Sequence, residues 1–320
     1  MHHTYTKVVR SRKQQLRGTS PPWWAVQDLN LRPHACEACA LTTELTARLN
    51  ELYYGTQGPG DPGTRQAKSR RDCVRRETME AMISEFEQLN QTIIACRKCP
   101  RLVRYRERVA RVKKREFAAW EYWGKPLPGF GDPNAELLIL GLAPAAHGGN
   151  RTGRMFTGDS SGQWLVRALY RAGFASQPTS EHRDDGLQLR NAFITAPVRC
   201  APPDNKPTRR EISNCSSYLR QELALLRHAR VVVTLGQIAF ATYLRIAQEY
   251  HVTLPRPRPS FKHGEVYRLH ATSPIPSVVI ASYHPSRQNT QTGRLTEAML
   301  DSVFRQARRL LQQDGSRDQI

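Results

Sequence analysis

Four short apolar runs, each followed by a segment of helical periodicity, dominate the hydrophobic pattern of the chain. Unbroken apolar runs of this length are typical of strands buried on both faces, and helices between them favour a parallel sheet covered on both sides. The pattern therefore predicts an α/β fold. The predicted strands are Glu136–Leu140, Ala192–Ala196, Arg230–Leu235 and Val278–Ala281, and the predicted helices are Gly162–Ala172, Thr208–Leu226, Gln237–Ala247 and Arg294–Leu311.

Two further helical patterns precede the first strand. The second of them is predicted at Leu102–Phe117, directly after Pro100, and carries seven basic residues but few apolar ones. The first ends at Cys96 and places its apolar residues largely on one helical face. The residues of that face are Met79, Met82, Ile83, Phe86, Leu89, Asn90 and Ile93.

The first 78 residues lack sustained periodicity and end in a stretch rich in glycine, proline and arginine, which predicts a disordered extension. Within them, Trp24–Leu49 resembles the reverse-strand reading of a transfer RNA gene, so we expect the true start at Met79 or Met82. The alternative is a genuine basic arm in which Cys36 and Cys39 form a second metal-ligand pair. The predicted organisation is an extension at 1–78, one domain at 79–313 and a tail at 314–320.

Composition narrows the class of protein. The chain of 320 residues carries a net charge of +20, of which +14 lies outside residues 1–78, so a polyanionic partner such as nucleic acid is favoured. It lacks both a secretory signal and an apolar run of about 18 residues, which predicts a soluble, cytoplasmic protein without membrane contact. Seven cysteines in such a chain favour metal ligation over disulfides.

Two long strings follow predicted strands and are rich in glycine, proline, histidine, asparagine and arginine. They are Gly141–Asp159 (GLAPAAHGGNRTGRMFTGD) and Ser282–Leu295 (SYHPSRQNTQTGRL). Open α/β sheets place their ligands in loops at the carboxyl ends of strands, so both strings are candidate site loops.

Four cysteines form a second set. Cys96 and Cys99 make a C-x-x-C pair, Cys200 is expected to close a strand, and Cys215 lies in the next predicted helix. Four thiolates from two separated pairs are a ligand set for zinc or for a [4Fe–4S] cluster, and spacing does not separate the two.

Together, these loops and cysteines resemble the family 5 uracil-DNA glycosylases, iron–sulfur members of the uracil-DNA glycosylase superfamily. The resemblance covers roughly residues 93–311 and implies a three-layer α/β/α fold with a four-stranded parallel sheet. It implies a [4Fe–4S] cluster on Cys96, Cys99, Cys200 and Cys215, with a structural role. It also implies a monofunctional enzyme that removes uracil and other deaminated or damaged bases from DNA, because neither loop contains the lysine that a lyase needs.

The resemblance also implies roles for single residues. Phe156 would stack on the extruded base, Asp159 would stabilise the sugar cation or orient water, and His284 would donate to the departing base. Related branches have a polar residue where Leu142 stands, which transfers the catalytic burden to Asp159. The pocket wall would consist of Gly141, Leu142, Ala143, Pro144 and Ala145.

Base recognition falls to Asn205, because Ala196 occupies the position at which family 4 has an asparagine. Minor-groove entry falls to Arg287, Gln288 and Asn289.

The residues themselves leave alternatives open. Phe156 also suits core packing, Asp159 suits a helix N-cap, Asn205 suits a turn, and His284 could be a satisfied loop histidine. At the level of the whole chain, the alternatives are a non-catalytic iron–sulfur nucleic-acid-binding module and, more distantly, an electron-transfer protein. We expect a monomer acting on uracil-containing DNA.

Overall fold

A six-stranded sheet forms the centre of the molecule in the computed structural model, which describes residues 81–270 and 275–315. The strand order is β1-β3-β2-β4-β6-β5, in which β3, β2, β4 and β6 run parallel and the two edge strands run antiparallel. The strands are β1 Phe130–Gly131, β2 Leu137–Leu140, β3 Ala192–Thr195, β4 Val231–Leu235, β5 Val266–Arg268 and β6 Val278–Ser282.

The four predicted strands are the parallel centre of this sheet, and the expectation of four strands in all was wrong. The edge strands β1 and β5 contain two and three residues, which are partly buried or exposed. Such short segments lack an apolar run, so the hydrophobic pattern did not reveal them.

Eight helices accompany the sheet within the described residues. They are α1 at 81–94, α2 Pro100–Val112, α3 Gly149–Thr152, α4 Ser160–Arg171, α5 Arg209–Leu225, α6 Gln237–Glu249, α7 Arg287–Gln291 and α8 Glu297–Gly315.

The predicted helix Leu102–Phe117 was wrong at both ends. It starts at Pro100 and ends at Val112, because Lys113 adopts a left-handed φ of 58°. A separate 3₁₀ turn follows at Arg115–Phe117. The chain therefore leaves the helix axis before it reaches the aromatic residues that follow.

The sheet has a hydrophobic core on each face, because alternate residues of a strand point to opposite sides. Leu137 and Ile139 of β2 pack with α4 and α8 on one face. Leu138 and Leu140 pack with α5 and α6 on the other, where Met82 of α1 joins them. The three-layer α/β/α architecture is thus confirmed, and residues from 82 onward contribute to its core.

The parallel strands carry their carboxyl ends to one edge of the sheet, so the loops after β2, β3, β4 and β6 meet there. The described helices include none that is both long and apolar enough to cross a membrane. The predicted extension at 1–78, which includes Cys36 and Cys39, lies outside the described residues, and so do Met79 and residues 316–320 of the predicted tail.

Candidate active site

The loop after β2 is folded tightly around Phe156. Gly141 donates its N–H to the Thr195 carbonyl at 2.8 Å and leaves no room for a side chain, since a Cβ there would lie 2.7 Å from the Phe156 ring. Phe156 has a left-handed φ of 50° and packs partly buried against the core. Its ring centroid lies 5.8 Å from that of His284, with 31° between the ring planes. The two predicted site loops are therefore brought together.

Asp159 caps α4 and also faces the interior of the loop. Its Oδ1 accepts the Gly162 N–H at 2.8 Å. Its Oδ2 lies against the Gly148 backbone, where the Cβ of an alanine would be only 2.0 Å away. Burial raises the pKa of Asp159, whereas the backbone N–H groups of Gly162 and Ser161, and after them the charges of Arg151 and Arg287, lower it. The N-cap interpretation is thus right, and it leaves one oxygen turned toward the loop.

His284 lies in the turn that follows β6. The turn is fixed from within, since Asn289 Nδ2 donates to the His284 carbonyl at 2.9 Å and the Ser286 side chain accepts the Asn289 N–H. Desolvation lowers the pKa of His284 to about 4, so the imidazole is neutral at pH 7. A neutral imidazole carries one N–H donor and presents no charge to a base.

The residues predicted to enter the minor groove divide into two kinds. Arg287 and Gln288 are exposed, and Arg287 Nε lies 3.4 Å from the Ser160 hydroxyl at the start of α4. The Asn289 amide is instead engaged inside its own turn. Arg287 therefore reaches from the second site loop to the end of the first, and this gap between the two loops is called the site entrance below. Asn289 instead stabilises its own turn.

Asn205 is not brought to the Phe156–His284 pair by any contact. It is exposed in a 3₁₀ turn with a left-handed φ of 55°, and within the described residues its side chain makes no hydrogen bond. In the chain without DNA, Asn205 is therefore a turn residue.

The predicted pocket wall packs against the cysteine region. Leu142 accepts the Val198 N–H at 3.3 Å, and Ala143 contacts a cluster that contains Cys99 and Cys200. The other wall residues, Pro144 and Ala145, continue along the same loop.

The four cysteines are free thiols in one neighbourhood, three of them buried and Cys96 partly so. Cys200 interacts electrostatically with Cys215 and Cys96, and Cys215 also with Cys99. Cys200 does not close a strand as predicted, because β3 ends at Thr195 and the intervening chain forms a loop. As they stand, no three His, Cys, Asp or Glu side chains in the described part of the chain form a metal-binding group.

A buried cation adjoins these thiols. Arg106 is 2% exposed, and its Nη1 lies 2.9 Å from Cys200 Sγ, whereas the nearest carboxylate oxygen of Glu107 is 3.9 Å away. A buried guanidinium needs a negative partner, and four thiolates around iron would supply one. The thiols thus suit a cluster in type, in burial and in counter-charge, although they are not closed around a common centre.

Sequence reasoning missed Arg151 although it lies inside the first site loop. Arg151 is buried and donates to the carbonyls of His147 and Gly158. His147 in turn shares a 3.0 Å hydrogen bond with Tyr122. An arginine between glycines in a site loop is a weak signal, and the aromatic partners of Arg151 lie some thirty residues upstream.

Comparison with known proteins gives the family. The profile described as "Uracil DNA glycosylase superfamily" matches residues 128–308, more than half of the chain. The chain is 51% identical over 224 residues to the "Type-5 uracil-DNA glycosylase" of Mycobacterium tuberculosis, covering 70% of this chain and 81% of that protein. It is 50% identical to the protein of the same name from Thermus thermophilus, covering 69% and 95%.

A relative of a neighbouring branch is more distant. The "Type-4 uracil-DNA glycosylase" of Pyrobaculum aerophilum is 31% identical over 156 residues, covering 48% of this chain and 62% of that protein. Higher identity over a longer span separates the two branches. The chain belongs to the uracil-DNA glycosylase superfamily and, within it, to the type-5 uracil-DNA glycosylases.

Proposed function

We infer that this chain is a uracil-DNA glycosylase that hydrolyses the bond between uracil and deoxyribose and leaves an abasic site. The observation that carries this function is the pairing of Phe156 with a neutral His284, 5.8 Å apart, where two loops of a type-5 chain meet. This pair combines an aromatic face with a hydrogen-bond donor at the carboxyl ends of the parallel strands.

Base binding follows from that pair. An enzyme that acts on a base in duplex DNA must extrude the nucleotide into a pocket. The Phe156 ring would stack on the extruded uracil, and the glycine at 141 lets the ring lie directly on the strand end. Gly141 and Phe156 thereby define the floor of the proposed pocket.

Bond cleavage would proceed with the electron pair of the C1′–N1 bond leaving on uracil. A neutral His284 N–H would donate a hydrogen bond to the uracil oxygen as negative charge develops on the base. The Asp159 carboxylate would stabilise the positive sugar or orient the water that adds to C1′. The water loses one proton and the base gains one, so the products are neutral uracil and an abasic sugar.

Exposed residues at the site entrance would contact the DNA backbone and fill the space that the extruded base leaves in the duplex. Arg287 and Gln288 would enter the minor groove, while Asn289 would hold the turn that presents them. The net charge of +20 favours the approach of DNA.

The range of bases is a finer proposal. Asn205 would reach the recognition edge only if its loop moves on DNA binding, since the side chain is exposed and unbonded in the free chain. A pocket without the strand asparagine, with Ala196 in its place, would accept deaminated bases besides uracil. The reaction would serve base excision repair.

We propose that Cys96, Cys99, Cys200 and Cys215 hold a [4Fe–4S] cluster. When bound, the cluster would supply a structural crosslink between the start of the domain, the loop after β3 and α5. Arg106 beside Cys200 would balance its negative charge, and the contact of Ala143 with this region would steady the pocket wall.

Turnover on a duplex with one uracil tests the function. The wild-type chain should release uracil and leave an alkali-labile site, and His284→Ala should lower the single-turnover rate by about a hundredfold without a matching loss of DNA binding. Binding without any release of uracil by the wild-type chain would instead support the non-catalytic module.

Iron analysis tests the cofactor. The anaerobically purified chain should be brown and contain about four irons. One zinc and no iron per chain would overturn the cluster assignment and leave the glycosylase untouched.

A further inference from the structure

Arg151 connects the two ends of the first site loop. Its Nε donates to the His147 carbonyl at 2.8 Å and its Nη2 donates to the Gly158 carbonyl at 2.7 Å. These carbonyls belong to the residues directly before Gly148 and Asp159. One side chain therefore holds together the backbone segments whose contact places Asp159 Oδ2 against Gly148.

Aromatic rings fix the guanidinium from the other side. Its central carbon lies 3.9 Å from the ring centroid of Phe117 and 4.1 Å from that of Trp120. A cation on aromatic faces is stabilised by the ring quadrupole without being neutralised. Gly158 leaves the space that this placement needs, since a Cβ there would lie 2.5 Å from Nη2.

The charge of Arg151 is not consumed by an ion pair. It is 3% exposed, and none of the salt bridges in the described part of the chain includes it. Its Nη1 is buried without a hydrogen-bond partner. The charges that reach it are those of Asp159, Glu116 and Glu181, together with the Tyr122 hydroxyl. On the other side, Asp159 faces the positive charges of Arg151 and Arg287.

We propose that Arg151 is a positioning residue for the glycosylase reaction: it clamps Asp159 against Gly148 and places a positive charge near its carboxylate. The proposal rests on the proposed function, because it acts through Asp159. Burial raises the pKa of Asp159, and three kinds of neighbour counteract that rise: the backbone N–H groups of Gly162 and Ser161, the charge of Arg151 and the charge of Arg287. Loss of the charge thus lowers the ionised fraction at a given acidic pH.

The test is the pH profile of the single-turnover rate on a uracil-containing duplex. Arg151→Gln should lower the plateau rate by about tenfold to a hundredfold and move the acid limb to higher pH, with little change in DNA affinity. Arg151→Lys keeps the charge but not the two-carbonyl clamp, so its plateau should fall while its acid limb stays in place. Arg245→Gln, on α6 across the sheet, is the matched loss of one charge and should resemble the wild type.

Two outcomes would overturn the proposal. One is an acid limb of Arg151→Gln that coincides with that of the wild type. The other is a rate loss for Arg151→Lys that is equally large in the wild-type and Asp159→Asn backgrounds, since a residue acting through Asp159 should add nothing once the carboxylate is gone. The second comparison decides the matter even if Arg151→Gln does not fold.

An inactive wild-type chain, by contrast, would refute the proposed function itself.

Discussion

A buried carboxylate, Glu222, and a half-buried one, Asp159, lie near the same edge of the sheet and have opposite kinds of partner. Glu222 of α5 is completely buried, and both its oxygens are occupied, Oε1 by Arg199 Nη1 at 2.8 Å and Oε2 by Arg199 Nη2 and the Thr195 hydroxyl. The Asp159 carboxylate instead accepts the backbone N–H groups of Gly162 and Ser161, and no described side chain forms a hydrogen bond or salt bridge with it. A carboxylate saturated by side chains holds structure together, whereas one bonded by backbone N–H groups keeps acceptor capacity for the role that we propose for Asp159.

The largest expected effect is that neutralising Glu222 lowers stability, whereas neutralising Asp159 lowers the reaction rate. Glu222→Gln should cost about 3 to 5 kcal/mol of unfolding free energy, because it leaves Arg199 buried and unpaired. Asp159→Asn should cost little stability, since asparagine caps helices as well as aspartate does, yet lower the single-turnover rate at least about a hundredfold. Urea unfolding and single-turnover kinetics on both variants measure this. A stable Glu222→Gln with an unstable Asp159→Asn would reverse the assignment.

A smaller effect is expected at Gly148. The methyl group of Gly148→Ala would collide with Asp159 Oδ2, a short side chain already fixed by its cap, so the carboxylate must move. We expect about a tenfold or greater loss of rate. Gly186→Ala is the control, because its φ of 81° makes alanine strained while the nearest atom of another residue is 3.9 Å away. Equal rates for the two variants would show that Oδ2 need not face Gly148.

The next expected effect concerns His284, whose burial as a neutral imidazole should make the stability of the domain depend on pH. Its folded pKa of about 4 lies below the ordinary value of 6.5, so between these values the unfolded chain binds a proton that the folded chain does not. The stabilising contribution is complete above pH 6.5 and is lost as the pH falls toward 4, by at most about 2 kcal/mol at pH 5.

Urea unfolding at pH 7 and pH 5 should show this extra loss in the wild type and not in His284→Gln. Because the His284 ring is partly exposed, solvent screening makes this loss of unfolding free energy smaller than the upper limit. The same loss in both proteins would assign it to other groups.

The smallest effect is expected at Asn205. Because its side chain makes no hydrogen bond in the free chain, Asn205→Ala should leave stability unchanged. It should change the ratio of rates on uracil and hypoxanthine about fivefold, the equivalent of one hydrogen bond of about 1 kcal/mol. An unchanged ratio would return Asn205 to the role of a turn residue.

The hydrophobic pattern predicted the parallel centre of the sheet but not its edges. The core strands are continuous apolar runs, and an apolar run is a local signal. β1 and β5 are short and are defined by their antiparallel partners, which no local pattern reveals.

The same limit applies to the site. Asp159 and His284 are predicted site residues because they lie in distinctive strings, and the structure brings their loops together. The pattern does not reveal the contact of Arg151 with Phe117 and Trp120, because it predicts Phe117 at the end of a helix that stops at Val112. Contacts between an irregular segment and a loop depend on where the chain turns, and a left-handed Lys113 determines that turn.

The proposed catalytic role of Asp159, beside its observed role as a helix cap, has a genetic consequence. A single base change converts an aspartate codon to an asparagine codon, and here the substitution would retain the helix start while removing the carboxylate. The product would be a well-folded protein that still binds damaged sites but does not excise the base. In a cell it would compete with the intact enzyme for lesions, and in the laboratory it would serve as a probe that marks uracil in DNA without excising it.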